Sequence, residues 1–293
     1  MSSFKLPAPN SHVSVSLPEG LSPDQLQSFK PFNTWVSTLT RSLSLQSHPR
    51  HPFHADPYEL RSVTVQSFDR FCGGGRLGFV KMAAAVSNSA GETLPGAALL
   101  RGPSVAMLVM LIPEDAPSDL GRKRTEDEEE ERYVVLTVQP RVPAGSLGFV
   151  ELPAGMVDDA GTFRGAAAKE MEEELGITIR EDELTCLSEL AAEAVGGAGT
   201  HPKGGAEGED LAAAVFPSAG GCDEHVTIYS HERRIPRSQL GEWEGRLTGL
   251  RTHGEKITLK VVAMRDAWRE GARDAKCLAA IALWQGLWRD KRL

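Results

Sequence analysis

A cluster of glutamates in a segment that favours a helix is the first indication of chemistry in this sequence. Glu170, Glu173 and Glu174 follow an Ala-Ala-Ala-Lys stretch, and helical spacing places the three carboxylates on one face. Like charges at this spacing destabilise a helix by roughly 0.2–0.5 kcal/mol per pair unless they are solvated or bound to cations. Carboxylate oxygens suit Mg²⁺, which commonly bridges protein carboxylates and substrate phosphates. The cluster is therefore either a solvated helix surface or a metal site for phosphate chemistry.

The length and composition fit a globular chain without a broad basic surface. The 293 residues are 41% apolar, which is enough for one large domain or two smaller ones. The formal net charge is −8, and the run from Glu126 to Glu131 contributes six of the negative charges. Because the remainder is close to neutral, the basic face that nucleic-acid backbones require is missing, and we expect no nucleic-acid partner.

The elements that must carry the glutamate cluster read as strands interspersed with helices. Residues 105–112, 133–138, 226–230 and 257–264 are apolar and rich in β-branched side chains, as in strands. A helix is predicted over residues 273–288, with an inward-facing apolar side formed by Cys277, Leu278, Ile281, Leu283 and Leu287. This alternation predicts the α/β class, with a sandwich built on a mixed sheet.

The first hundred residues predict a separate region with its own pattern. Residues 1–20 are rich in Pro and Ser and lack helical periodicity, so we expect a tail. An amphipathic helix should follow from Ser22, kinked or split at Pro31, with the apolar residues Leu26, Phe29, Phe32, Trp35, Val36, Leu39 and Leu43. Residues 62–68 and 77–86 flank a Gly-Gly-Gly break and predict a β-hairpin.

Two polar segments interrupt the predicted elements. Residues 113–132 contain the acidic run, whose mutual repulsion favours an exposed loop, and we assign it no chemistry. Residues 196–210 are rich in Gly and Ala and predict a second flexible loop. The predicted organisation is a tail and helix over residues 1–57, a β-rich region over 58–100 and a main domain over 101–293.

The cysteine and hydropathy patterns predict a cytoplasmic protein without a membrane partner. The four cysteines are far apart and form neither a CxxC pair nor a disulfide framework, so we expect reduced thiols. The longest apolar run has eight residues, whereas a membrane-spanning helix needs roughly 20. The N-terminus lacks a charged start before an apolar core, although its Ser-rich, acid-poor first fifty residues leave an organelle presequence open.

The segment from Gly155 to Ile177 resembles the Nudix box. That pattern is Gly, five residues, Glu, seven residues, Arg-Glu, an apolar residue, any residue, Glu-Glu, any residue, Gly and an apolar residue. The matching positions are Gly155, Glu170, Met171, Glu173, Glu174, Gly176 and Ile177. Two positions depart, with Gly161 in place of the first Glu and Lys169 in place of Arg. Lysine keeps the charge but lacks the planar fork that can orient a neighbouring carboxylate.

The resemblance extends over roughly residues 58–290 and is similar to the ADP-sugar diphosphatase branch, close to plant plastid ADP-glucose hydrolases. It is carried by Leu94-Pro-Gly, Leu100-Arg-Gly-Pro-Ser-Val-Ala-Met-Leu-Val, Glu151-Leu-Pro-Ala-Gly-Met, Phe216-Pro-Ser-Ala-Gly-Gly-Cys-Asp-Glu and Thr248-Gly-Leu-Arg-Thr-His-Gly-Glu. It implies a Nudix α/β/α sandwich whose N-terminal β-rich region helps to form a homodimer. It also implies Mg²⁺-dependent hydrolysis of a nucleoside-diphosphate sugar, with Mn²⁺ as a substitute metal, to a nucleoside monophosphate and a sugar phosphate.

The same resemblance assigns roles to the acidic residues. The implied metal ligands are the backbone carbonyl of Ala154 and the carboxylates of Glu170, Glu174 and Glu255. Glu173 is an adjacent catalytic helper, and Glu255 is the expected general base. An exposed carboxylate before a strand is the alternative for Glu255, and Glu224 is the alternative base or a substrate contact.

The resemblance also implies residues that contact the substrate. Arg141 corresponds to the family arginine near the phosphate or the terminal sugar, and a guanidinium suits bidentate phosphate recognition. A structural salt bridge is the alternative for this residue. The turn at Ser218, Ala219 and Gly220 can bring backbone N–H groups close to substrate oxygens, and an ordinary tight turn is its alternative.

Two classes of function remain on the sequence alone. One is a catalytic hydrolase of an ADP-ribose or ADP-glucose type of substrate, and the other is a Nudix-like module that binds a nucleotide sugar without turnover. Gly161 and Lys169 motivate the module, whereas Glu170, Glu173, Glu174 and Glu255 favour the enzyme. The sequence indicates neither the nucleobase nor the sugar.

Overall fold

The computed structural model describes residues 2–71, 75–116, 131–157, 162–175, 178–194, 209–249 and 256–293. Contacts divide the chain into two compact units, each made of two stretches of sequence. Unit 1 comprises Met1–Pro103 and Ala192–His225, and unit 2 comprises Ser104–Ala191 and Val226–Leu293. Each unit has its own apolar core.

Unit 1 contains a six-stranded sheet of mainly antiparallel strands. The strands are β1 (Ser2–Lys5), β2 (Ser14–Leu17), β3 (Glu59–Arg70), β4 (Leu77–Ser87), β5 (Thr93–Leu94) and β6 (Ala97–Leu100). Their order is β1-β2-β3-β4-β5, with β6 also paired to β4, and only the β2–β3 pairing is parallel in the described sheet. The antiparallel β3 and β4 confirm the predicted hairpin.

The first twenty residues are not the tail that we expect from their composition. They contain β1 and β2, and β2 pairs with β3. Val13, Val15 and Leu17 are fully or almost fully buried. These residues alternate with polar ones, which is the period of a strand with one buried face. The Pro- and Ser-rich composition obscures this short alternation.

Two helices cover the apolar side of this sheet, and the predicted break between them is present. Helix α1 (Pro23–Gln27) is capped by Ser22, whose Oγ accepts the Gln25 N–H at 3.2 Å while the Ser22 N–H donates to Gln25 Oε1 at 3.0 Å. Helix α2 (Lys30–Ser44) begins anew with Pro31 in its first turn. Proline is favoured there because the first N–H groups of a helix have no partner within it. The apolar helical stretch is thus split into two helices next to Pro31, as the sequence predicts.

Unit 2 contains an eight-stranded mixed sheet with a fully buried central strand. Its strands are β7 (Ser104–Pro113), β8 (Tyr133–Arg141), β9 (Ser146–Glu151), β10 (Ala154–Met156), β11 (Thr185–Cys186), β12 (Val226–Ile235), β13 (Leu247–Thr248) and β14 (Ile257–Ala263). The order is β11-β12-β7-β8-β14-β13, with β10 on β7 and β9 on β8. The β12–β7 pairing is parallel and the β7–β8 pairing antiparallel. This arrangement confirms the predicted α/β class with a mixed sheet.

The helices of unit 2 pack on this sheet. They are α3 (Phe163–Glu170), α4 (Leu187–Ala194), which crosses the boundary between the units, α5 (Arg237–Trp243), α6 (Met264–Glu270) and α7 (Ala275–Arg289). Ala167 of α3 shares a core with Val105 and Met107 of β7, and α7 contacts β7 and β12. Among the described helices, none is long and apolar enough to cross a membrane.

Helix α7 begins later than predicted and buries a different set of residues. Asp274 caps it by accepting the Lys276 N–H at 3.1 Å, so the helix begins at Ala275. Cys277, Ile281 and Leu287 are buried as expected, but Leu278 is 41% exposed and Leu283 is only partly buried. The expectation for Leu278 is wrong because the buried stripe runs through positions 277, 281, 284 and 287 at helical spacing.

The acidic run has a structural contact at its last residue. Residues 117–130 and 196–208 of the two predicted loops lie outside the described residues. Glu131, however, accepts two hydrogen bonds from Arg237 at 2.6 Å each and one from the Tyr133 hydroxyl at 2.7 Å. Arg237 also pairs with Asp115 at 3.0 Å. The hydrogen bonds from Arg237 and Tyr133 lower the pKa of Glu131 from 4.5 to about 2.

We predict that Glu131→Gln lowers the melting temperature at neutral pH. The folded-state pKa of Glu131 lies below its ordinary value of 4.5, so the stabilisation is complete above that pH and is lost as the pH falls towards about 2. Thermal unfolding of both proteins across this range measures the effect, which should be small because both partners are partly exposed. Glu128→Gln in the same acidic run is the control. A difference that persists undiminished at the lowest pH would contradict the assignment.

Candidate active site

The glutamate-bearing helix is anchored to the sheet of unit 2 by its apolar residues. Thr162 caps α3 by accepting the Gly165 N–H on Oγ1 at 2.9 Å. The helix then continues as a π-helical turn, Met171–Leu175. Buried Met171 and Leu175 fix this turn in the core of unit 2. The wider turn changes the angular positions of the glutamates from those that a regular α-helix predicts, and such turns are frequent at functional sites.

Glu174 is a buried carboxylate that is held by the sheet. It is 6% exposed, although it belongs to an acidic stretch of the sequence. Its Oε2 accepts the backbone N–H of Ala154 at 3.0 Å, and its Oε1 accepts Nε2 of Gln139 at 3.3 Å. Burial of a carboxylate is costly unless hydrogen bonds replace water. These contacts with β8 and β10 therefore fix the position of Glu174.

Glu173 is less buried than Glu174 and forms an ion pair with Lys169, the residue that replaces the arginine of the box. Its carboxylate lies 3.6 Å from Lys169 Nζ, one helical turn away. The lysine side chain is largely exposed. At this distance the pair is electrostatic, without the bidentate geometry that an arginine can offer. Lys169 thus supplies positive charge next to a box carboxylate.

The turn that carries Ala154 is held from several directions. Strand β9 ends at Glu151, and the Leu152 N–H donates to Asp274 Oδ2 at 3.0 Å. The Pro153 carbonyl accepts the Met107 N–H at 2.9 Å. Ala154 then pairs with Ala106 of β7. The residue implied as a backbone metal ligand therefore lies in a fixed turn, and its N–H holds the implied ligand Glu174.

Arg141, at the end of β8, makes the salt bridge that we considered as an alternative to substrate binding. Its Nε lies 2.6 Å from Oε1 of Glu151, which is almost completely buried. The arginine side chain is itself 41% exposed. Since Nε is only one of five guanidinium N–H donors, this pair is compatible with phosphate contact by the terminal nitrogens. A role in substrate binding stays a prediction.

Sequence reasoning missed the charged residues that surround Glu151. Lys276 Nζ lies 3.0 Å from Glu151 Oε2 and 2.8 Å from Asp274 Oδ1. Burial lowers the pKa of Lys276, but the nearby Asp274 and Glu151 carboxylates outweigh this effect and raise it above its ordinary value. The Glu-Leu-Pro-Ala-Gly stretch could have drawn attention to Glu151. No local pattern links it to Lys276, which is far away in the sequence.

The other implied substrate residues belong to unit 1. Ser218, Ala219 and Gly220 form a tight turn in which the Ser218 carbonyl accepts the N–H groups of residues 221 and 222 at 3.0 and 2.9 Å. Ala219 and Gly220 line a cavity of about 930 Å³ within this unit. Its described lining contains neither Lys nor Arg, so any phosphate contact there would depend on backbone N–H groups. Glu224 forms an ion pair with Arg101 at 3.2 Å.

The donor chemistry of the described residues fits a hard divalent cation but represents only part of a site. Carboxylates of Glu173 and Glu174 and the backbone of Ala154 offer oxygen atoms, which Mg²⁺ prefers. The part of the chain that is described holds no group of three or more His, Cys, Asp or Glu side chains placed to bind a metal. The side chain of Glu170, together with Gly161 and Glu255, lies outside the described structure. The complete ligand set therefore stays a prediction.

Comparison with known proteins identifies the class to which this fold and box belong. A family model described as NUDIX domain matches residues 125–199. The chain belongs to the Nudix hydrolases, as its resemblance to the Nudix box predicts. It is 32% identical over 289 residues to "Nudix hydrolase 14, chloroplastic" from Arabidopsis thaliana, covering 97% of this chain and 80% of that protein. A structure described as "Crystal structure of ADP compounds hydrolase" has a TM-score of 0.49 and 14% identity, covering 80% of this chain and 97% of that chain.

We predict that Gln139→Leu lowers hydrolase turnover about tenfold, because it removes a hydrogen bond to the charged Glu174 carboxylate that is worth about 1.5 kcal/mol. Leucine keeps a similar volume at this buried position. Steady-state rates, corrected for the folded fraction, measure the change. Gln239→Leu, at an exposed position of α5, is the matched control. Unchanged turnover in folded Gln139→Leu would show that this contact is only structural.

Proposed function

We propose that this Nudix hydrolase cleaves the diphosphate of a nucleoside-diphosphate sugar of the ADP-ribose or ADP-glucose type, with Mg²⁺. Water adds to one phosphorus, the bond from that phosphorus to the bridging oxygen breaks, and the products are a nucleoside monophosphate and a sugar phosphate. The observation that carries this proposal is the buried Glu174 of the box, held by Ala154 and Gln139. A carboxylate with a fixed position is suited to metal-assisted phosphoryl transfer.

The residues implied to hold the metal are Glu170, Glu174, Glu255 and the carbonyl of Ala154. A bound Mg²⁺ would neutralise diphosphate oxygens and lower the pKa of an attacking water. The protein's own contribution is to fix these oxygens in a rigid arrangement. The turn at Ala154 and the buried Glu174 are the parts of that arrangement whose contacts support the proposal. Mn²⁺ is the expected substitute metal.

The substrate class is supported by Arg141 and by the resemblance to the ADP-sugar branch. An exposed guanidinium that is fixed by a buried carboxylate can meet a diphosphate with a defined orientation. Ser218, Ala219 and Gly220 stay proposed substrate contacts in unit 1. The preferred nucleobase and sugar require a panel of ADP-ribose, ADP-glucose and UDP-glucose.

Glu255 is our proposal for the general base, in preference to Glu224. The Glu224 carboxylate is already paired with Arg101, and both side chains are mostly buried. This ion pair gives the Glu224 carboxylate a structural partner within unit 1. Glu255 precedes β14, where the resemblance places a carboxylate that binds metal or acts as the base.

A binding module without turnover is the competing proposal, and the departures at Gly161 and Lys169 favour it. Lys169 nevertheless places its positive charge near Glu173. The replacement of Arg by Lys is therefore a weaker argument against catalysis than the sequence alone suggests. Release of AMP from ADP-ribose by the purified full chain with Mg²⁺ supports the enzyme. Tight binding of ADP-ribose without AMP release supports the module.

The proposed setting of this activity includes a homodimer formed through the N-terminal β-rich region, without nucleic-acid or membrane partners. A cytoplasmic location stays the prediction from the sequence. The name of the Arabidopsis thaliana relative includes "chloroplastic", which makes a plastid the alternative location. The division of the chain into regions 1–57, 58–100 and 101–293 stays a proposal.

We predict that Glu170→Gln and Glu174→Gln each lower kcat by about 100-fold or more, because an amide of the same size lacks the anionic charge that metal catalysis requires. Rates with ADP-ribose at saturating Mg²⁺, together with melting curves, measure the loss at constant fold. Glu172→Gln, an exposed neighbour in the same turn, is the control. Near-normal turnover in both variants would exclude these residues as essential ligands.

We also predict that two variants outside the described residues behave asymmetrically. Glu255→Gln should mainly lower kcat, since a base or metal ligand acts on the chemical step. Gly161→Glu should not be required for activity, because the other carboxylates suffice. Rates of both variants at saturating Mg²⁺ test this expectation. An inactive wild type that gains turnover through Gly161→Glu would instead identify a degenerate binding module.

A further inference from the structure

Four charged side chains of unit 2 form a chain of alternating sign that runs from the protein interior to Arg141. Asp274 Oδ1 lies 2.8 Å from Lys276 Nζ, which lies 3.0 Å from Glu151 Oε2. Glu151 Oε1 lies 2.6 Å from Arg141 Nε. Side-chain exposure is 4% for Asp274, 16% for Lys276, 3% for Glu151 and 41% for Arg141. Only the arginine end is substantially open to solvent.

The network is electrically balanced, and this balance makes its burial tolerable. Two carboxylates alternate with two cations, so each buried carboxylate has a cationic neighbour. Loss of one member of a buried ion pair is strongly destabilising, because it leaves the other charge without compensation. Lys276 contacts both carboxylates and is therefore the member on which the geometry of the others depends.

The same network holds the turn of the box. Asp274 uses Oδ2 to accept the Leu152 N–H and Oδ1 to accept the Lys276 N–H, which fixes the start of α7 against the end of β9. Ala154, two residues after Leu152, donates its N–H to Glu174. Arg141 and the turn of residues 152–154, whose Ala154 N–H binds Glu174, are therefore attached to one buried ionic network.

We propose that Lys276 is a positioning residue that fixes Glu151, so that Glu151 directs the guanidinium of Arg141 towards a diphosphate. The identity of that diphosphate rests on the proposed function. Lys276 holds one oxygen of Glu151, and the other oxygen is thereby left to accept Arg141 Nε. Without Lys276, Glu151 can rotate towards Arg141 and draw the guanidinium away from the exposed side.

The kinetic test is Lys276→Met, which keeps an unbranched apolar chain but removes the charge. With ADP-ribose and Mg²⁺, kcat/KM should fall about 10- to 100-fold, mainly through KM, since supporting residues of active sites have effects of this size. Lys276→Arg should recover most of the loss. Lys260→Met, which breaks the more exposed Lys260–Glu270 pair of the same unit, should change neither parameter.

A double variant separates positioning through Arg141 from direct contact between Lys276 and the substrate. Arg141→Ala and Arg141→Ala/Lys276→Met should have the same KM, because the lysine acts only through the arginine. A further loss of at least tenfold in the double variant would overturn the proposal. So would an unchanged KM in folded Lys276→Met.

A spectroscopic readout keeps the test independent of catalysis. The Nε–H signal of Arg141, assigned with Arg141→Lys, should exchange slowly in the wild type because it is donated to a buried carboxylate. Exchange should accelerate at least tenfold in Lys276→Met and stay unchanged in Lys260→Met. If Lys276→Met does not fold, Asp274→Asn is subjected to the same measurements. Wild type without ADP-ribose hydrolysis would refute the proposed function, whereas an Arg141 signal unaffected by loss of the network would refute this inference.

Discussion

The burial of Glu174 is the constraint on which the arrangement of unit 2 depends. An ionised carboxylate leaves water only at a high cost unless several donors replace it. Here the donors come from two strands, the Ala154 N–H of β10 and the Gln139 amide of β8. The helix that presents Glu174 is in turn fixed by Ala167, Met171 and Leu175 in the apolar core. The carboxylate that we propose as a metal ligand is therefore coupled to the hydrophobic packing of unit 2.

The fold could be predicted from the sequence wherever one periodicity dominated. Strand β7 is apolar from Val105 onward because both of its faces are buried, and the hairpin of β3 and β4 alternates clearly. The failures have physical causes. Strands β1 and β2 lie in a polar composition that hides their alternation, and Leu278 lies just outside the buried stripe of its helix. The π-helical turn also escaped prediction, because it depends on how the helix packs rather than on residue type.

The candidate site was predictable to the extent that its residues stand in one contiguous motif. The register of the box predicted Glu173 and Glu174, and the resemblance added Ala154 and Arg141. Lys276 and Asp274 carry no such signal, since the contacts of Lys276 with Glu151 and of Asp274 with Leu152 arise only when α7 packs beside the end of β9. Asp274, the N-cap residue of α7, thus helps to support a candidate site whose other residues are distant from it in the sequence.

The segment that closes the edge of β6 has a consequence for biosynthesis. The Leu99 N–H donates to the Gly221 carbonyl, and the Asp223 N–H donates to the Leu99 carbonyl. These partners leave the ribosome about 120 residues apart, a delay of roughly 6 to 25 s at 5–20 residues per second. During that interval the backbone groups at this edge have not yet met their final partners, and an open strand edge invites pairing with other chains. The sheet of unit 1 therefore reaches its final hydrogen bonding at this edge only after the first stretch of unit 2 has been synthesised.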